Sequence, residues 1–342
     1  MTINVISTQI DRDITTGPKK VLSNTIKGFD KIDIKYVFNR PIGEYKYNWI
    51  HDDQKAIIEA GFIGKPVLVG PNTAVLPRDL PKLRKKLPNG SIYLHPSPWC
   101  VEVWRYLGFD EVSLEYWATG IDTDEFGKVD RANKSKILIY FKQRDLKLLE
   151  QTREILNSLG LEYTVIHYGY YKESEYKKAL EECRFGIWIG CSESQGIGLQ
   201  EALSTNLPLI VFDAKSIFDT VAVDSKNYFA YKFPKTLKQI KATSAPYFDE
   251  RCGVKIYEMK KLKEAILHMN ENIDKFNPRK YIEENLSLEK SAKRLVSFFD
   301  KMDIKDIKSS NYQNISKYLF YIGLIYQKWA WKWAFDKLRK KL

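Results

Sequence analysis

The sequence predicts an α/β protein built from two Rossmann-like domains that face each other across a cleft. Short apolar runs alternate with helical patterns in two separate series, and a polar stretch at 120–136 divides them. Alternation of this kind indicates right-handed strand–helix–strand units and mainly parallel sheets. With 342 residues, 44% of them hydrophobic, the chain is long enough to form two cores.

The first series predicts a domain over residues 1–118. Two of its helix starts are well marked, because Pro18 follows Gly17, and Ser97 precedes Pro98 as an N-cap. The expected strands are 3–8, 32–39, 66–69 and 92–95, and the expected helices are 18–29, 53–60 and 97–107.

The second series predicts a domain over residues 119–285, in which an irregular stretch at 214–255 follows the alternating part. A helix over 288–300 belongs to a segment, 286–305, that we expect to return to the first domain. Ligand-binding loops are expected at the carboxyl ends of the strands, where two such domains face the cleft. The expected strands are 136–141, 163–167, 185–189 and 207–212, and the expected helices are 146–159, 173–182, 197–205 and 260–270.

Composition narrows the class of protein. The formal net charge of +12 suits an anionic partner such as a phosphate, a membrane surface or a nucleic acid. The four cysteines form no CxxC pair, so reduced thiols and no zinc site are expected. The first residues lack the pattern of a signal peptide, and no apolar run reaches the ~20 residues that cross a bilayer. We therefore expect a cytoplasmic protein, in solution or peripheral at the cytoplasmic face of a membrane.

The last segment, 306–342, is a basic aromatic tail with an amphipathic helical pattern over 315–342. It is too short and too charged to span a membrane, and it is typical of a helix that lies on an anionic membrane surface. Packing of its apolar face on the protein or on a second subunit is the alternative. The basic stripe comprises Lys317, Lys328, Lys332 and Arg339, and the opposite stripe comprises Ile322, Tyr326, Trp329 and Trp333.

The strongest functional signal lies at 192–213, where a polar glycine-bearing turn and a short helix connect two buried strands. Gly196 and Gly198 allow backbone amides to approach a ligand, and the helix start favours a phosphate or sugar oxygen. Glu193 precedes the helix and Glu201 lies more than a turn into it, so the two carboxylates would reach different parts of one extended ligand. Carboxylates are good acceptors for vicinal hydroxyls. Two glutamates at this spacing are common by chance, and it is the surrounding pattern that favours a site.

This segment resembles the E-x7-E motif of retaining GT-B glycosyltransferases of family four, the group 1 glycosyl transferases. The resemblance implies a GT-B fold and transfer of a sugar from a nucleotide-diphospho donor to a glycan, lipid-linked or protein acceptor. It implies that Glu193 contacts the donor sugar and that Glu201 holds the ribose hydroxyls. The backbone of Gly196, Ile197 and Gly198 would face the sugar and diphosphate. The matching residues are Glu193, Gly196, Glu201, Ala202 and Pro208.

The rest of the chain matches the family less specifically. Gly17 lies in a segment that resembles the first glycine loop, with one glycine where two are common, and 119–126 closely resembles the linker between the domains. Gln195 stands where the family usually has an aromatic residue, which leaves the identity of the donor sugar open. Asp122 and Asp124 form a DxD pair, a common feature of turns, and we do not interpret it as a metal site.

Basic side chains are expected to neutralise the diphosphate, so neither a metal nor a cofactor is predicted. In the family an Arg and a Lys occupy the region after the first strand of the second domain, and Lys142 and Arg144 are the candidates here, with Lys147 beside them. Cations at that place would stabilise the negative charge that develops on the leaving group. Solvated surface charges are the alternative.

Three residues of the first domain are candidates for contact with the acceptor or the sugar. His95 ends a predicted strand and is expected to point toward the cleft, although a hydrogen-bonded histidine at a strand end is the more common case. Asn39 and Arg40 end another strand.

Two other classes of function compete with the transferase. A sugar-nucleotide epimerase or hydrolase of the same fold would need acid and base residues that cannot be assigned. A nucleic-acid or scaffold binding protein has only the charge and the aromatic content in its favour, and no signature of an RNA- or DNA-binding module is present. A nucleic-acid partner is therefore not expected.

Overall fold

The computed structural model describes residues 1–12, 16–75, 87–109, 112–219, 235–302 and 304. Within them the chain forms two α/β domains with parallel sheets, which confirms the predicted fold class. The tail predicted at 306–342 lies outside the described residues. No helix within the described ranges is long and apolar enough to cross a membrane.

The first domain contains a six-stranded parallel sheet. Its elements are β1 Thr2–Ile6, α1 Gly17–Lys31, β2 Lys35–Phe38, β3 Tyr47–Ile50, α2 Gln54–Ile63, β4 Leu68–Val69, β5 Ile92–His95, α3 Pro98–Tyr106 and β6 Ser113–Tyr116. The strand order is β2-β1-β3-β4-β5-β6. The order changes direction beside β1, so the loops after β1 and β3 lie at the switch point, where ligands of such sheets bind.

The second domain contains a five-stranded parallel sheet in the order β11-β10-β9-β7-β8. Its elements are β7 Lys136–Phe141, α4 Leu146–Ser158, β8 Tyr163–His167, α5 Glu173–Glu182, β9 Cys183–Ile189, α6 Ile197–Ser204, β10 Leu209–Phe212, β11 Gly253–Ile256 and α7 Leu262–Glu271. Helices α8 Pro278–Asn285 and α9 Leu288–Asp300 follow. The turn between β9 and α6 therefore lies at the carboxyl edge of the central strands.

Three strands and one helix were not expected: β3, β6, β11 and α8. In β3 the apolar run is interrupted by Asn48, which is fully buried. Its side chain accepts a hydrogen bond from Asn4 Nδ2 at 2.9 Å and donates to the backbone carbonyl of Tyr45 at 2.8 Å. In β6 only Leu114 is buried. Strands are identified in a sequence by their apolar pattern. That pattern is missing where a buried strand residue is polar and has tertiary partners, or where few residues of the strand are buried.

The last described helix, α9, packs on the first domain. Its apolar side contributes to the core that also contains α1 and β1. Two glycines permit the close approach: a Cβ on Gly28 would lie 2.7 Å from the carbonyl oxygen of Leu288, and one on Gly120 would lie 2.6 Å from its Cα. A bridge pairs Ile121 with Ser287. The chain thus passes between the two domains twice, through the linker and through the start of α9, and these two segments lie side by side.

Candidate active site between the domains

The candidate site is built around the turn between β9 and α6. Gly196 is the N-cap of α6 and has φ of +81°, a left-handed conformation that disfavours a Cβ. The backbone N–H of Glu193 donates to the carbonyl oxygen of Thr243 at 2.9 Å, and its carbonyl accepts from Trp99 Nε1 at 2.9 Å. Trp99 belongs to α3 of the first domain. The turn is therefore held from both domains, and the free N–H groups of α6 point back toward it.

Glu193 forms an ion pair with Lys142. Lys142 Nζ lies 2.7 Å from Glu193 Oε1, and the two side chains are only 15% and 12% exposed. Lys142 directly follows β7, and its ammonium lies 4.2 Å from the centre of the Tyr168 ring, which follows β8. Burial is the largest single influence and disfavours the charged form of Lys142, but the charge and hydrogen bond of Glu193, together with Cys191 and Tyr168, outweigh it and raise the pKa of the lysine above its ordinary value. Lys142 is therefore a cation at neutral pH.

Glu201 lies in the second turn of α6, and its side chain is 4% exposed. Its Oε1 accepts a hydrogen bond from Lys20 Nζ at 2.7 Å, and the same ammonium lies 2.8 Å from Glu173 Oε1. Burial raises the pKa of Glu201 to about 7, against the lowering effect of Lys20. Since Lys20 belongs to α1, this ion pair joins the two domains.

Gln195 connects the site to the linker between the domains. Its Oε1 accepts from the backbone N–H of Thr119 at 3.1 Å, and its Nε2 donates to the Thr119 carbonyl at 2.9 Å and to Gln200 Oε1 at 3.0 Å. All three residues are buried. An aromatic side chain could not form this double hydrogen bond with a backbone. The departure from the family pattern at Gln195 thus coincides with a tie between the α6 turn and the linker.

The three basic candidates after β7 lie in different environments. Lys142 meets Glu193, as described. Arg144 Nη1 donates to the carbonyl oxygen of Gly190 at 3.0 Å, at the start of the same turn, and burial lowers the pKa of Arg144. Lys147 is exposed on the first turn of α4. The structure therefore brings Lys142 and Arg144 to the turn and leaves Lys147 at the surface.

On the first-domain side, Gly17 begins α1, and a Cβ at Gly17 would have no neighbour within 4 Å in the described part of the chain. Asn39 has φ of +50° and uses its side chain to bind the backbone of Ser7, with Oδ1 accepting at 2.9 Å. Arg40 is exposed, and its backbone binds the side chain of Asn4. Asn39 and Arg40 thus brace the end of β1, and none of the contacts of the described residues connects them with the α6 turn.

His95 is a core residue, and this corrects the expectation that it points toward the cleft. It is 0% exposed, and its ring stacks on Tyr93 and lies tilted against Trp104, with ring centres 5.0 and 4.7 Å away. Burial lowers the pKa of His95 to about 3, and the neighbouring Val75 carbonyl offsets this only in part. Within the described ranges, neither ring nitrogen of His95 has a partner with hydrogen-bond geometry. The imidazole is therefore neutral and sealed from the cleft.

The two aspartates of the linker pair with lysines of α1. Lys27 Nζ lies 2.7 Å from Asp122 Oδ2, and Lys31 Nζ lies 2.9 Å from Asp124 Oδ2. The other oxygen of Asp122 accepts the backbone N–H groups of Asp124 and Glu125, as in an ordinary polar turn. Across the described ranges, no three His, Cys, Asp or Glu side chains are grouped so as to hold a metal ion.

Sequence reasoning missed Lys20, Trp99 and Thr243. A signal existed for Lys20, because it lies three residues after Gly17 and therefore on the same side of α1. Trp99 follows the N-cap of α3 at the carboxyl edge of the first sheet, where contacts to the cleft are expected. Thr243 lies in the stretch at 214–255 for which the sequence predicts only irregular structure, and its contact with Glu193 uses a backbone carbonyl, which leaves no mark in the sequence.

Comparison with known proteins identifies the fold. No family model and no curated protein matches the chain. Among solved structures, HepE of Anabaena, solved with UDP and glucose, has 10% identity and a TM-score of 0.55, with 88% of this chain and all of that chain covered.

Two further solved structures agree in fold. The lipopolysaccharide outer core galactosyltransferase WaaB has 13% identity and a TM-score of 0.53, with 88% of this chain and all of that chain covered. Sucrose-phosphate synthase from Thermosynechococcus elongatus has 9% identity and a TM-score of 0.50, with 88% and 98% covered. The chain therefore has the GT-B fold of these glycosyltransferases.

Proposed function

We propose that this chain transfers a sugar from a nucleotide-diphospho donor to a hydroxyl-bearing acceptor, with retention at the anomeric carbon and without a metal ion. The observation that carries the proposal is the buried pair of Glu193 and Lys142 beside the N-terminus of α6, with Glu201 farther along that helix. The GT-B fold supports the reaction class. Retention and metal independence rest on the resemblance to the E-x7-E family.

The positive groups of the site suit a diphosphate leaving group. When the bond between sugar and phosphate breaks, negative charge grows on the phosphate oxygens. Fixed positive charge in a water-poor site stabilises that charge most strongly. That positive charge is gathered around the turn between β9 and α6. It comes from the side chains of Lys142 and Arg144 and from the free N–H groups of α6, including those of Ile197 and Gly198.

The carboxylates suit the hydroxyl groups of the donor. Glu193, at the turn, accepts hydrogen bonds from the sugar, and Glu201, deeper along α6, accepts them from the ribose. The acceptor would enter from the first domain, where a Cβ added to Gly17, at the start of α1, would have no neighbour within 4 Å among the described residues. Arg40, exposed at the carboxyl edge of the first sheet, is a candidate acceptor contact. We propose a glycan, a lipid-linked sugar or a protein as the acceptor.

The test is release of the nucleoside diphosphate from a panel of UDP-, GDP- and ADP-sugars with hydroxyl acceptors, in the presence and absence of EDTA. We expect Glu193→Gln to reduce kcat by about 100-fold or more, because it removes a charge beside the reacting carbon. Glu181→Gln, an exposed glutamate on α5, is the matched control and should retain activity. Full activity in Glu193→Gln would refute the proposed role, and loss of activity in EDTA would refute metal independence.

The same assay separates the competing activities. An epimerase or hydrolase would convert the sugar nucleotide without any acceptor, and chromatography of the products would detect the altered or free sugar. A transferase gives a product in which the acceptor carries the sugar, and NMR of the new anomeric proton reports whether configuration is retained.

We further propose that residues 315–342 attach the enzyme to the cytoplasmic face of an anionic membrane. The sequence pattern supports this, because basic and aromatic stripes occupy opposite sides of the predicted helix. Flotation with vesicles containing anionic lipid should recover the whole chain but not a chain ending at 314, and neutral vesicles should recover less. Equal recovery of the two chains would refute the proposal.

A further inference from the structure

Helix α1 presents a row of lysines to the second domain. Lys20, Lys27 and Lys31 are spaced by seven and four residues, which places them on one side of the helix. Lys27 Nζ lies within 3.0 Å of oxygens of Asp122 and Glu125. Lys31 and Lys27 meet acidic side chains of the linker, whereas Lys20 reaches past the linker to α6 and α5.

The contact of Lys20 differs from the others in burial. The side chain of Glu201 is 4% exposed, against 78% for Asp124, the linker partner of Lys31. A carboxylate so far from water is costly to ionise unless a cation or hydrogen-bond donors face it. Oε2 of Glu201 makes no hydrogen bond among the described residues, and it is not one of the atoms that are fully enclosed without a partner. One oxygen is therefore bound by Lys20, and the other remains available to a ligand.

Of the charged groups that act on Glu201 among the described residues, Lys20 is the cation. Glu173 and Glu125 face it with negative charge, and the hydroxyls of Tyr171 and Tyr176 lie near it as neutral groups. Burial and the two glutamates raise the pKa of Glu201, and the charge and hydrogen bond of Lys20 lower it, with a balance at about 7. Without Lys20, burial and the two glutamates favour the protonated form of Glu201, and Lys27 and Lys177 face Glu125 and not Glu201.

We infer that Lys20 is a positioning residue for donor binding: from the first domain it keeps Glu201 of the second domain ionised and oriented toward the ribose hydroxyls. This inference rests on the proposed function, in which Glu201 binds the ribose. It adds that the nucleotide site is completed by a residue of the opposite domain. Donor affinity and contact between the domains are then coupled, because separating the domains removes the cation from a buried carboxylate.

The experiment compares nucleotide affinity of the whole chain with that of Lys20→Met by calorimetry between pH 6 and pH 9. The probe is UDP, GDP or ADP, whichever the unaltered chain binds most tightly, beside its 2′,3′-dideoxy analogue. We expect Lys20→Met to bind the ribonucleotide about 10-fold more weakly at pH 7, the loss expected for hydrogen bonds to a charged acceptor. The loss should shrink as pH rises, since the pKa of Glu201 moves upward in the variant and higher pH restores its ionised form.

Three comparisons isolate the role of Lys20. Lys20→Arg keeps a cation and should retain most of the affinity. Lys31→Met removes ion pairs of the same helix with Asp124 of the linker and Glu289 of α9, away from Glu201, and its affinity and pH profile should match those of the unaltered chain. The dideoxy analogue, which lacks the hydroxyls, should bind equally to the unaltered chain and to Lys20→Met. Circular dichroism of each variant verifies folding.

Two results would overturn the inference. Lys20→Met could bind the ribonucleotide as tightly as the unaltered chain or more tightly, which would mean that Lys20 competes with the ribose. Its affinity for the dideoxy analogue could also fall by the same factor as its affinity for the ribonucleotide, which would mean that Lys20 acts on the diphosphate or on folding. Failure of the unaltered chain to bind any of the three nucleotides is a separate result that refutes the proposed function itself.

Discussion

Replacing Gln195 by alanine should destabilise the contact between the linker and the α6 turn. The substitution leaves three buried groups without partners: the backbone N–H and carbonyl of Thr119 and Oε1 of Gln200. A buried polar group that loses its partner costs about 1–3 kcal/mol. Water entering the vacated space would satisfy part of this requirement, so we expect the free energy of unfolding to fall by about 3 kcal/mol.

Urea denaturation followed by circular dichroism measures this change. Gln151→Ala, at an exposed position of α4, is the matched control and should change the free energy of unfolding by about 0.5 kcal/mol or less. Gln195→Glu tests the hydrogen bonds more directly, because it keeps the shape of the side chain but places a carboxylate against two oxygen acceptors. It should cost at least as much as the alanine substitution. A loss below about 1 kcal/mol in both variants would refute the reasoning.

Three further predictions follow from single contacts. Gly196→Ala should cost about 1–2 kcal/mol in urea denaturation, because φ of +81° is strained for alanine, and it should weaken nucleotide binding; unchanged stability would contradict this. Lys27→Met should cost about 1 kcal/mol or less in thermal denaturation, because the lysine is 46% exposed, and a larger loss would show that its ion pairs stabilise more than exposed pairs do. The pKa of His95 is about 3 in the folded protein and about 6.5 in the unfolded chain. The neutral, buried histidine therefore contributes its full stability above about pH 6.5, and this contribution is lost as the pH falls from there toward about 3. Between pH 7 and pH 5 the free energy of unfolding of His95→Phe should therefore fall by about 2 kcal/mol less than that of the unaltered chain. An equal fall in the two proteins would mean that folding does not lower the pKa of His95.

The order of most elements could be predicted from the sequence, because buried parallel strands are short apolar runs separated by amphipathic helices. Strand β7 at Lys136–Phe141 and helix α5 at Glu173–Glu182 have the predicted bounds. Strand β3 was missed because its apolar run is interrupted by Asn48. Burial of this polar residue is possible because it forms hydrogen bonds with Asn4, 44 residues away, and with Tyr45, three residues away, and no local pattern indicates these partners. His95 was misplaced for a related reason: the end of a strand is visible in the sequence, but the side of the sheet to which it points is not.

For the candidate site too, part could be predicted from the sequence and part required the structure. The sequence by itself determined the α/β architecture and the strand–turn–helix unit that carries Glu193 and Glu201, because apolar periodicity and glycine positions are local properties of the chain. Tertiary structure alone decided the partners of these carboxylates. Lys142 lies 51 residues from Glu193 along the chain, and Lys20 lies 181 residues from Glu201. The electrostatics of a buried carboxylate depend on groups within a few ångströms in space, and sequence separation carries no information about that distance.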